Sequence, residues 1–317
     1  VGQEVLACLH ETYRRDAPIQ PDMNLEPDLG LDSMERVELL AGLEQALKLQ
    51  LPEDFGADIL TVRDLIVSLE QQAGGVTQSG GASRRSWRAI LSEESLGREE
   101  NVEFRISGPA LTLLKFALLQ LLDLLLFRPL LRLEVRGLEN LPSRGAYLLC
   151  PNHESYLDPF VLAARLPYRV FRRVFFVGYS VFFDRRLMRV FARLANIIPV
   201  DPDAHLLRAM KAGAMGLRAG CILCIFPEGG RSYDGRLQAF KKGASILSRE
   251  MSVPIVPVGI EGAHEVWPRD SLRILPHKVT VRFGEPLLPS PDGGADPYRE
   301  DTDRLREAVE RLIRDRG

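Results

Sequence analysis

The chain has 317 residues, 45% of them apolar and 26% charged, with a formal net charge of −2. That composition excludes a collagen-like or wholly disordered chain and supplies enough apolar material for more than one core. Four cysteines in this length exclude a disulfide-built scaffold and fit a reducing compartment. Residues 3–15 carry Val5, Leu6, Leu9 and Tyr13 at helical spacing, and Met34, Val37, Leu40, Ala41 and Leu47 repeat the pattern. Thr61–Leu69 predicts a third, shorter helix with Val62, Leu65, Ile66 and Leu69 on one face. Residues 1–72 therefore read as a small all-helical bundle.

The Gly- and Ser-rich run GGVTQSGGAS at 74–83 opens a polar stretch, so 73–107 reads as a flexible linker with a short helix near Trp87–Leu91. Residues 109–131, PALTLLKFALLQLLDLLLFRPLL, are the most apolar segment. Lys115, Gln120 and Asp123 interrupt it, which disfavours a spanning helix. Two readings stay open: a helix lying in a membrane interface, or one buried against its own domain.

Beyond Arg132 the pattern alternates. Ala146–Cys150, Val174–Val177, Ile222–Phe226, Ile255–Ile260 and Val279–Phe283 read as strands. Pro159–Arg165, Asp184–Leu194, Asp203–Leu217, Phe240–Met251 and Asp303–Arg314 read as helices. The expectation is a multidomain chain: the helical bundle, then an α/β domain over 108–317 with a largely parallel sheet.

Charge divides along the same line. Residues 1–72 hold 5 basic and 15 acidic side chains, a balance of −10, which leaves +8 for the remainder. An acidic front joined to a basic back implies two tasks on one chain. The arginine clusters 169, 172, 173 and 185, 186, 189 are interleaved with aromatics, which suits anionic phospholipid; no nucleic-acid recognition motif accompanies them. No signal-peptide pattern is visible, and Val at position 1 reads as the start of an excised fragment.

Three short blocks carry chemistry. In DLGLDSMERVE, Asp32 and Glu35 have capping-box spacing before an apolar helix. The same helix start would stabilise a phosphate on Ser33, and Glu35, Glu38 and Glu44 would give the helix an acidic surface. In NHESYLDP, His153 and Asp158 are five apart, about 140° around one helix, so they cannot share a helical face. Asp158–Pro159 reads as a cap and first helical residue, which leaves His153 in the loop and able to fold back onto the carboxylate. In FPEGGRS, Gly229 and Gly230 admit a ligand close to the backbone, and Arg231 can grip a phosphate through two hydrogen bonds. Lys241 and Lys242 follow and add positive charge. Cys221 and Cys224 have no second Cys or His pair at zinc spacing; they read as core thiols, and no metal is assigned.

Residues 1–72 resemble an acyl carrier protein, with GLDSM at the modification motif and Met34 where Leu is commoner. The resemblance implies a 4′-phosphopantetheine arm on Ser33, attached by a phosphopantetheinyl transferase. NHESYLD, FPEGGRS and VPIVPVGIEG, in that order, resemble the glycerol-phosphate and lysophosphatidate acyltransferase family over roughly 109–290. That likeness implies His153 as general base, Asp158 as its orienting partner, and Glu228, Gly229 and Arg231 as acceptor-binding residues. It also implies that Pro254 and Pro257 shape the pocket. Two departures bear on the acceptor headgroup: Gly230 stands where Thr is common, and IIPVDPD places Pro202 where a basic residue is usual, with Arg208 beyond it.

The implied reaction is O-acyl transfer from an acyl thioester, on the carrier or on CoA, to the hydroxyl of a lysophospholipid or glycerol phosphate. The implied setting is cytoplasmic and peripheral at an anionic membrane surface. An acyl-activating ligase ahead of residue 1 would load the carrier. Two other readings compete: an inactive membrane-binding module that presents the carrier, and a carrier that serves only as a docking domain.

Overall fold

The computed structural model describes residues 2–13, 19–31, 33–47, 49, 51, 55, 59–73, 87–91, 108–179, 196–200, 206–268, 273–291 and 296–314. They fall into two compact units, Val1–Val102 with Val200–Lys211, and Glu103–Pro199 with Ala212–Gly317. Most of the expected linker, the helix expected at Asp184–Leu194, and the arginines at 185, 186 and 189 lie outside the described residues.

The first unit contains helices α1 (Gly2–Tyr13), α2 (Ser33–Leu47) and α3 (Val62–Ala73), followed by the single turn α4 (Trp87–Ile90). Val5 and Leu9 of α1 meet Leu39 and Leu43 of α2 and Val62, Leu65 and Leu69 of α3 in one core. Leu25, Leu29 and Leu31 close it from the intervening loop. On α1 the expected Val5 and Leu9 are buried and Leu6 packs half-buried against the core; the Tyr13 side chain lies outside the described residues. On α3 Val62, Leu65 and Leu69 are buried and Ile66 is half-buried. On α2 the expected Met34 and Ala41 are buried together with Leu39, Leu43 and Ala46; the expected Leu40 and Leu47 pack half-buried against the same core, and Val37 is half-buried. Glu38 is buried as well, so the acidic surface expected on α2 keeps only Glu35 and Glu44 in partial contact with solvent, and one Glu44 oxygen accepts the Leu51 N–H.

The second unit is an α/β domain. Helix α5 (Pro109–Leu122) runs through a π-helical turn, Asp123–Phe127, into α6 (Arg128–Leu131). Seven strands follow: β1 (Glu134–Arg136), β2 (Tyr147–Pro151), β3 (Val174–Tyr179), β4 (Ile197–Val200), β5 (Ile222–Cys224), β6 (Ile255–Glu261) and β7 (Thr280–Phe283). Their order in the sheet is β1-β7-β6-β2-β5-β3-β4. The β1–β7, β6–β2, β2–β5 and β5–β3 pairs are parallel and β6–β7 is antiparallel. Every residue of β2 and β5 is buried, as expected for strands covered on both faces. The helices of this unit are α7 (Asp158–Arg165), α8 (Tyr168–Phe171), the part of α9 (Leu206–Arg218) from Ala212 onward, α10 (Gly243–Met251), α11 (Ala263–Val266) and α12 (Pro297–Arg314). Helix α12 lies so close to β6 that a Cβ on Gly259 would stand 2.7 Å from the Leu312 Cβ, and only glycine permits that approach. Pro254 and Pro257 belong to this sheet: the Pro254 carbonyl accepts the Leu148 N–H, and the buried Pro257 pairs with Cys150.

The apolar segment 109–131 is turned inside out relative to a soluble amphipathic helix. Its few polar side chains face the domain. Asp123 is fully buried and accepts from Arg128 Nε at 2.8 Å and Arg165 Nη1 at 3.1 Å. Gln120 donates to the Ala164 carbonyl, and Lys115 Nζ lies 3.1 Å from Asn196 Oδ1. Its leucines point away: Leu114, Leu118, Leu121, Leu124 and Leu125 are each more than half exposed. By length and composition alone, Pro109–Leu131 could cross a bilayer.

Candidate active site

The site is built where the carboxyl ends of adjacent parallel strands open, the usual ligand crevice of an α/β sheet. The loop after β2 carries NHESYLD, and the loop after β5 carries FPEGGRS. Because β2 and β5 pair in parallel, the two blocks emerge side by side. Asn152 fixes the root of the first loop: its Oδ1 accepts the Ile260 N–H at 2.7 Å, and its Nδ2 donates to the Ile260 carbonyl at 2.8 Å. A strand-end side chain thus replaces one rung of the β2–β6 ladder.

The structure brings His153 and Asp158 together, with Nδ1 2.7 Å from Oδ2. The helical role expected of Asp158 is corrected. Helix α7 starts at Asp158 itself, Leu157 precedes it, and no side chain caps the helix. The carboxylate instead turns back and gathers the loop. Its Oδ2 also accepts the backbone N–H of Glu154 at 2.7 Å and of Ser155 at 2.8 Å. Hydrogen bonds to a buried carboxylate are each worth roughly 1.5–3 kcal/mol, so this one oxygen sets both the loop and the ring. With the Nδ1 proton directed at Asp158, the other ring nitrogen is the acceptor. The imidazole stacks on Phe226 at 4.0 Å between centroids and stays 19% exposed, while Asp158 is fully buried. An oriented, partly accessible ring of this kind can take a proton from a bound hydroxyl.

FPEGGRS is tied to His153 on both sides of its peptide. The His153 N–H donates to Glu228 Oε1 at 2.8 Å, and the Ser232 N–H donates to the His153 carbonyl at 2.8 Å. Glu228 is buried, and its Oε2 accepts the Gln238 N–H at 3.1 Å. Both carboxylate oxygens therefore brace backbone. Burial raises the Glu228 carboxyl to about 7, against the lowering effect of the two N–H donors. Glu154 sits deeper still; burial, then the negative charge of Asp158, pushes its carboxyl well above the usual range. It accepts from Asn152 Nδ2 and from the His264 N–H.

Gly229 turns at φ +73, and a Cβ there would meet the Lys241 side chain, 2.9 Å from Cε. Lys241 thus lies across the glycine turn. Lys242 does not contribute to an anion site as the sequence suggested: it is buried and pairs with Asp296 at 3.0 Å. Gly230 has open space around its Cα, so the threonine common at this position would fit here. Arg231 lies over the Tyr156 ring, its Cζ 3.4 Å from the centroid. Of the arginines offered for lipid contact, Arg173 is spent on the carbonyls of Gly145 and Gly220. The side chain of Arg208 lies outside the description.

Several contributors were passed over in the sequence. Asn152, Glu154, Ser155 and Tyr156 sit inside a block already singled out, so the signal was present but unassigned. Trp267, whose carbonyl accepts Ser155 Oγ at 2.8 Å, carried none.

In the first unit, Ser33 is the first residue of α2. Gly30, at φ +68, turns the chain toward it, and buried Leu31 and Met34 fix the backbone on either side. A phosphate linked to Ser33 fits there, because a helix start offers free N–H groups and the positive end of the helix dipole. Asp32, the expected cap, lies outside the described residues.

Comparison with known proteins follows the same division. Residues 132–261 match a family model described as Acyltransferase, and residues 3–72 match one described as Phosphopantetheine attachment site. The chloroplastic 1-acyl-sn-glycerol-3-phosphate acyltransferase BAT2 of Brassica napus is 31% identical over 167 residues, 51% of this chain and 47% of that protein. The 1-acyl-sn-glycerol-3-phosphate acyltransferase of Pseudomonas aeruginosa is 28% identical, covering 51% of this chain and 62% of that protein. The human 1-acyl-sn-glycerol-3-phosphate acyltransferase alpha is 27% identical, covering 56% and 61%. The chain spans about half the length of curated relatives such as BAT2 and the Cocos nucifera 1-acyl-sn-glycerol-3-phosphate acyltransferase. The crystal structure of the 1-acyl-sn-glycerophosphate acyltransferase PlsC from Thermotoga maritima superimposes with a TM-score of 0.53 at 23% identity, covering 64% of this chain and 80% of that one. At that identity the likeness is one of fold.

Proposed function

We propose that this chain, whose residues 132–261 belong to the acyltransferase family and whose residues 3–72 form a phosphopantetheine-attachment domain, is an O-acyltransferase of phospholipid synthesis. It moves a fatty acyl group from a thioester to the hydroxyl of a lysophosphatidate-type acceptor. The observation that carries this reading is the His153–Asp158 pair, 2.7 Å apart at the carboxyl ends of the central parallel strands. Asp158 holds the ring through Nδ1, and the opposite nitrogen removes the acceptor hydroxyl proton. The oxygen then attacks the thioester carbonyl, a C–O bond forms, the C–S bond breaks, and the departing sulfur takes the proton back from His153. Arg231 and the Gly229 turn bind the acceptor phosphate. Glu228 holds that turn against His153, so the phosphate site and the base keep a fixed separation.

Ser33 would hold the phosphopantetheine at the start of α2, and that group would carry the acyl chain as a thioester. Tethering a donor in this way raises its effective concentration, on the order of millimolar for a short flexible connection. The −10 and +8 balances of the two parts favour encounter. A phosphopantetheinyl transferase and an acyl-activating ligase are the partners such a carrier requires. The outward leucines of 109–131 support a peripheral seat on a membrane, where the lipid acceptor is found. The buried thiols Cys150, Cys221 and Cys224 are compatible with a cytoplasmic, reducing side.

The test is to load Ser33 with a labelled acyl group and offer lysophosphatidate, other lysophospholipids and glycerol phosphate, with lipid mass spectrometry as readout. Labelled phosphatidate is the expected product, and His153→Ala should lower its formation by at least about 10²- to 10⁴-fold. Transfer at the wild-type rate by that variant would remove the base from the mechanism. Transfer from acyl-CoA but not from the loaded carrier would assign the first unit to docking alone.

A further inference from the structure

Tyr156 is the fifth residue of NHESYLD and is 37% exposed on the loop that carries His153. The Arg231 guanidinium lies over it with Cζ 3.4 Å from the ring centroid. Tyr156 also meets Trp267, centroids 5.1 Å apart and planes tilted by 45°. Trp267 is itself tied down. Its carbonyl accepts Ser155 Oγ at 2.8 Å, and its N–H donates to the Ala263 carbonyl at 3.1 Å. Arg231 thus rests on a shelf: Tyr156, from the loop that carries the base, backed in turn by Trp267 from the end of α11.

A free arginine side chain samples many rotamers, and ordering it opposes binding. A guanidinium held against a ring has lost much of that freedom before a ligand arrives, which lowers the ordering cost of two-point phosphate binding. The neighbouring Ser232 N–H is latched to the His153 carbonyl at 2.8 Å, so the shelf also sets the distance from the phosphate grip to the ring.

Resting on the acyltransferase reading above, we propose that Tyr156, backed by Trp267, is a positioning residue that presents the Arg231 edge to the phosphate monoester of the acyl acceptor. Tyr156 touches neither the reacting hydroxyl nor the thioester. Its effect should therefore fall on acceptor KM and leave kcat and donor KM alone.

The experiment compares wild type, Tyr156→Phe and Tyr156→Leu with the acyl thioester saturating and lysophosphatidate varied. Phe keeps the π face and Leu removes it. Loss of a partly desolvated cation–π contact predicts a rise in acceptor KM of about 5- to 30-fold for Tyr156→Leu. The expected kcat change is within about twofold, and Tyr156→Phe should match wild type. An unchanged acceptor KM in Tyr156→Leu, an equal loss in both variants, or a rise in donor KM instead would overturn the assignment. A second arm needs no turnover: calorimetric titration of the full chain with glycerol 3-phosphate, where the Leu variant should lose affinity by the same factor and the Phe variant should not. Ring-dependent binding without acyl transfer would refute the acyltransferase reading and leave the shelf in place. Acyl transfer with no dependence on the ring in either arm would do the reverse. Absence of both transfer and binding in wild type would overturn both.

Discussion

Ser33 and His153 are the two positions to which the proposed function assigns chemistry, and the fold makes them in opposite ways. Ser33 is a local device. It opens α2, and the residues that fix its backbone, Gly30, Leu31 and Met34, all lie within three positions in sequence. His153 is a long-range device. Its backbone and ring are held by Asp158, Phe226, Glu228 and Ser232, up to 79 positions away, brought together by the β2–β5 pairing. The difference lies in where the reactivity comes from. A position that only anchors an added group needs a helix start and exposure. A position that must itself move a proton needs orientation, partial burial and a charge partner, and these come from a sheet.

That contrast predicts different responses to damage. At Ser33 the outcome should be all or none. After incubation with a phosphopantetheinyl transferase and CoA, intact-mass analysis should find one added group on wild type and nothing on Ser33→Ala. Added mass on the variant would move the attachment elsewhere and break the comparison at its first term. Around His153 the losses should be large but graded. Asp158→Asn leaves the site's shape while setting the ring tautomer and the two loop N–H donors against an amide. By analogy with other His–carboxylate pairs, acyl transfer should fall on the order of 10³- to 10⁴-fold. Asp158→Ala should in addition lower the melting temperature, because the N–H groups of Glu154 and Ser155 lose their buried acceptor. Asp158→Asn with near-normal kcat would show that His153 does not need orienting.

The same contrast explains what could be read in advance. The parallel sheet was legible because β2, β5 and β6 are short apolar runs bounded by turn residues and buried on both faces. The His–Asp contact was legible as geometry, since spacing five rules out a shared helical face. What Asp158 does with its lone pairs was not. A carboxylate before proline normally caps forward, and only the folded loop after β2 offers it three donors behind. The deepest face of α2 was only partly legible for a related reason: the half-buried Leu40 and Leu47 are as apolar as the buried Leu39 and Leu43, and tertiary packing chooses which stripe goes deepest. Lys242 and Arg173 looked like free positive charge, yet their partners, Asp296 and the carbonyls of Gly145 and Gly220, are remote in sequence. Trp267 entered the site from beyond β6 with no pattern to announce it.

The apolar segment 109–131 offers a test of smaller size. Asp123, Gln120 and Lys115 are committed to the domain, so the leucine face can be altered without touching the fold. Replacing the exposed Leu118 and Leu125 by Lys removes two side chains that are 58% and 60% exposed. Burying each in a bilayer would contribute roughly 1–2 kcal/mol, so co-sedimentation with lipid vesicles should weaken by about 10-fold or more. The melting temperature should hold. Unchanged sedimentation would mean that the exposed face does not meet lipid, and a fall in melting temperature would mean that it packs on protein.

The smallest expected effect is a change of slope with pH, and it probes how tightly Glu228 is locked into the His153 site. Two backbone N–H groups favour its charged form, while burial and the nearby Asp158 charge favour the neutral one. Burial is the larger effect, and the carboxyl titrates near 7 in the folded chain against 4.5 for the ordinary group. The native state therefore binds this proton more tightly than the unfolded chain does. The resulting stability is fully present below about pH 4.5 and is lost as pH rises through 7. Glu228→Gln keeps the size and removes the titration, so its denaturation midpoint should decline less than that of wild type between pH 5 and pH 8. Equal declines would mean that Glu228 is as well solvated as a surface carboxylate. The brace between FPEGGRS and the base would then be looser than its 2.8 Å bond to the His153 N–H implies.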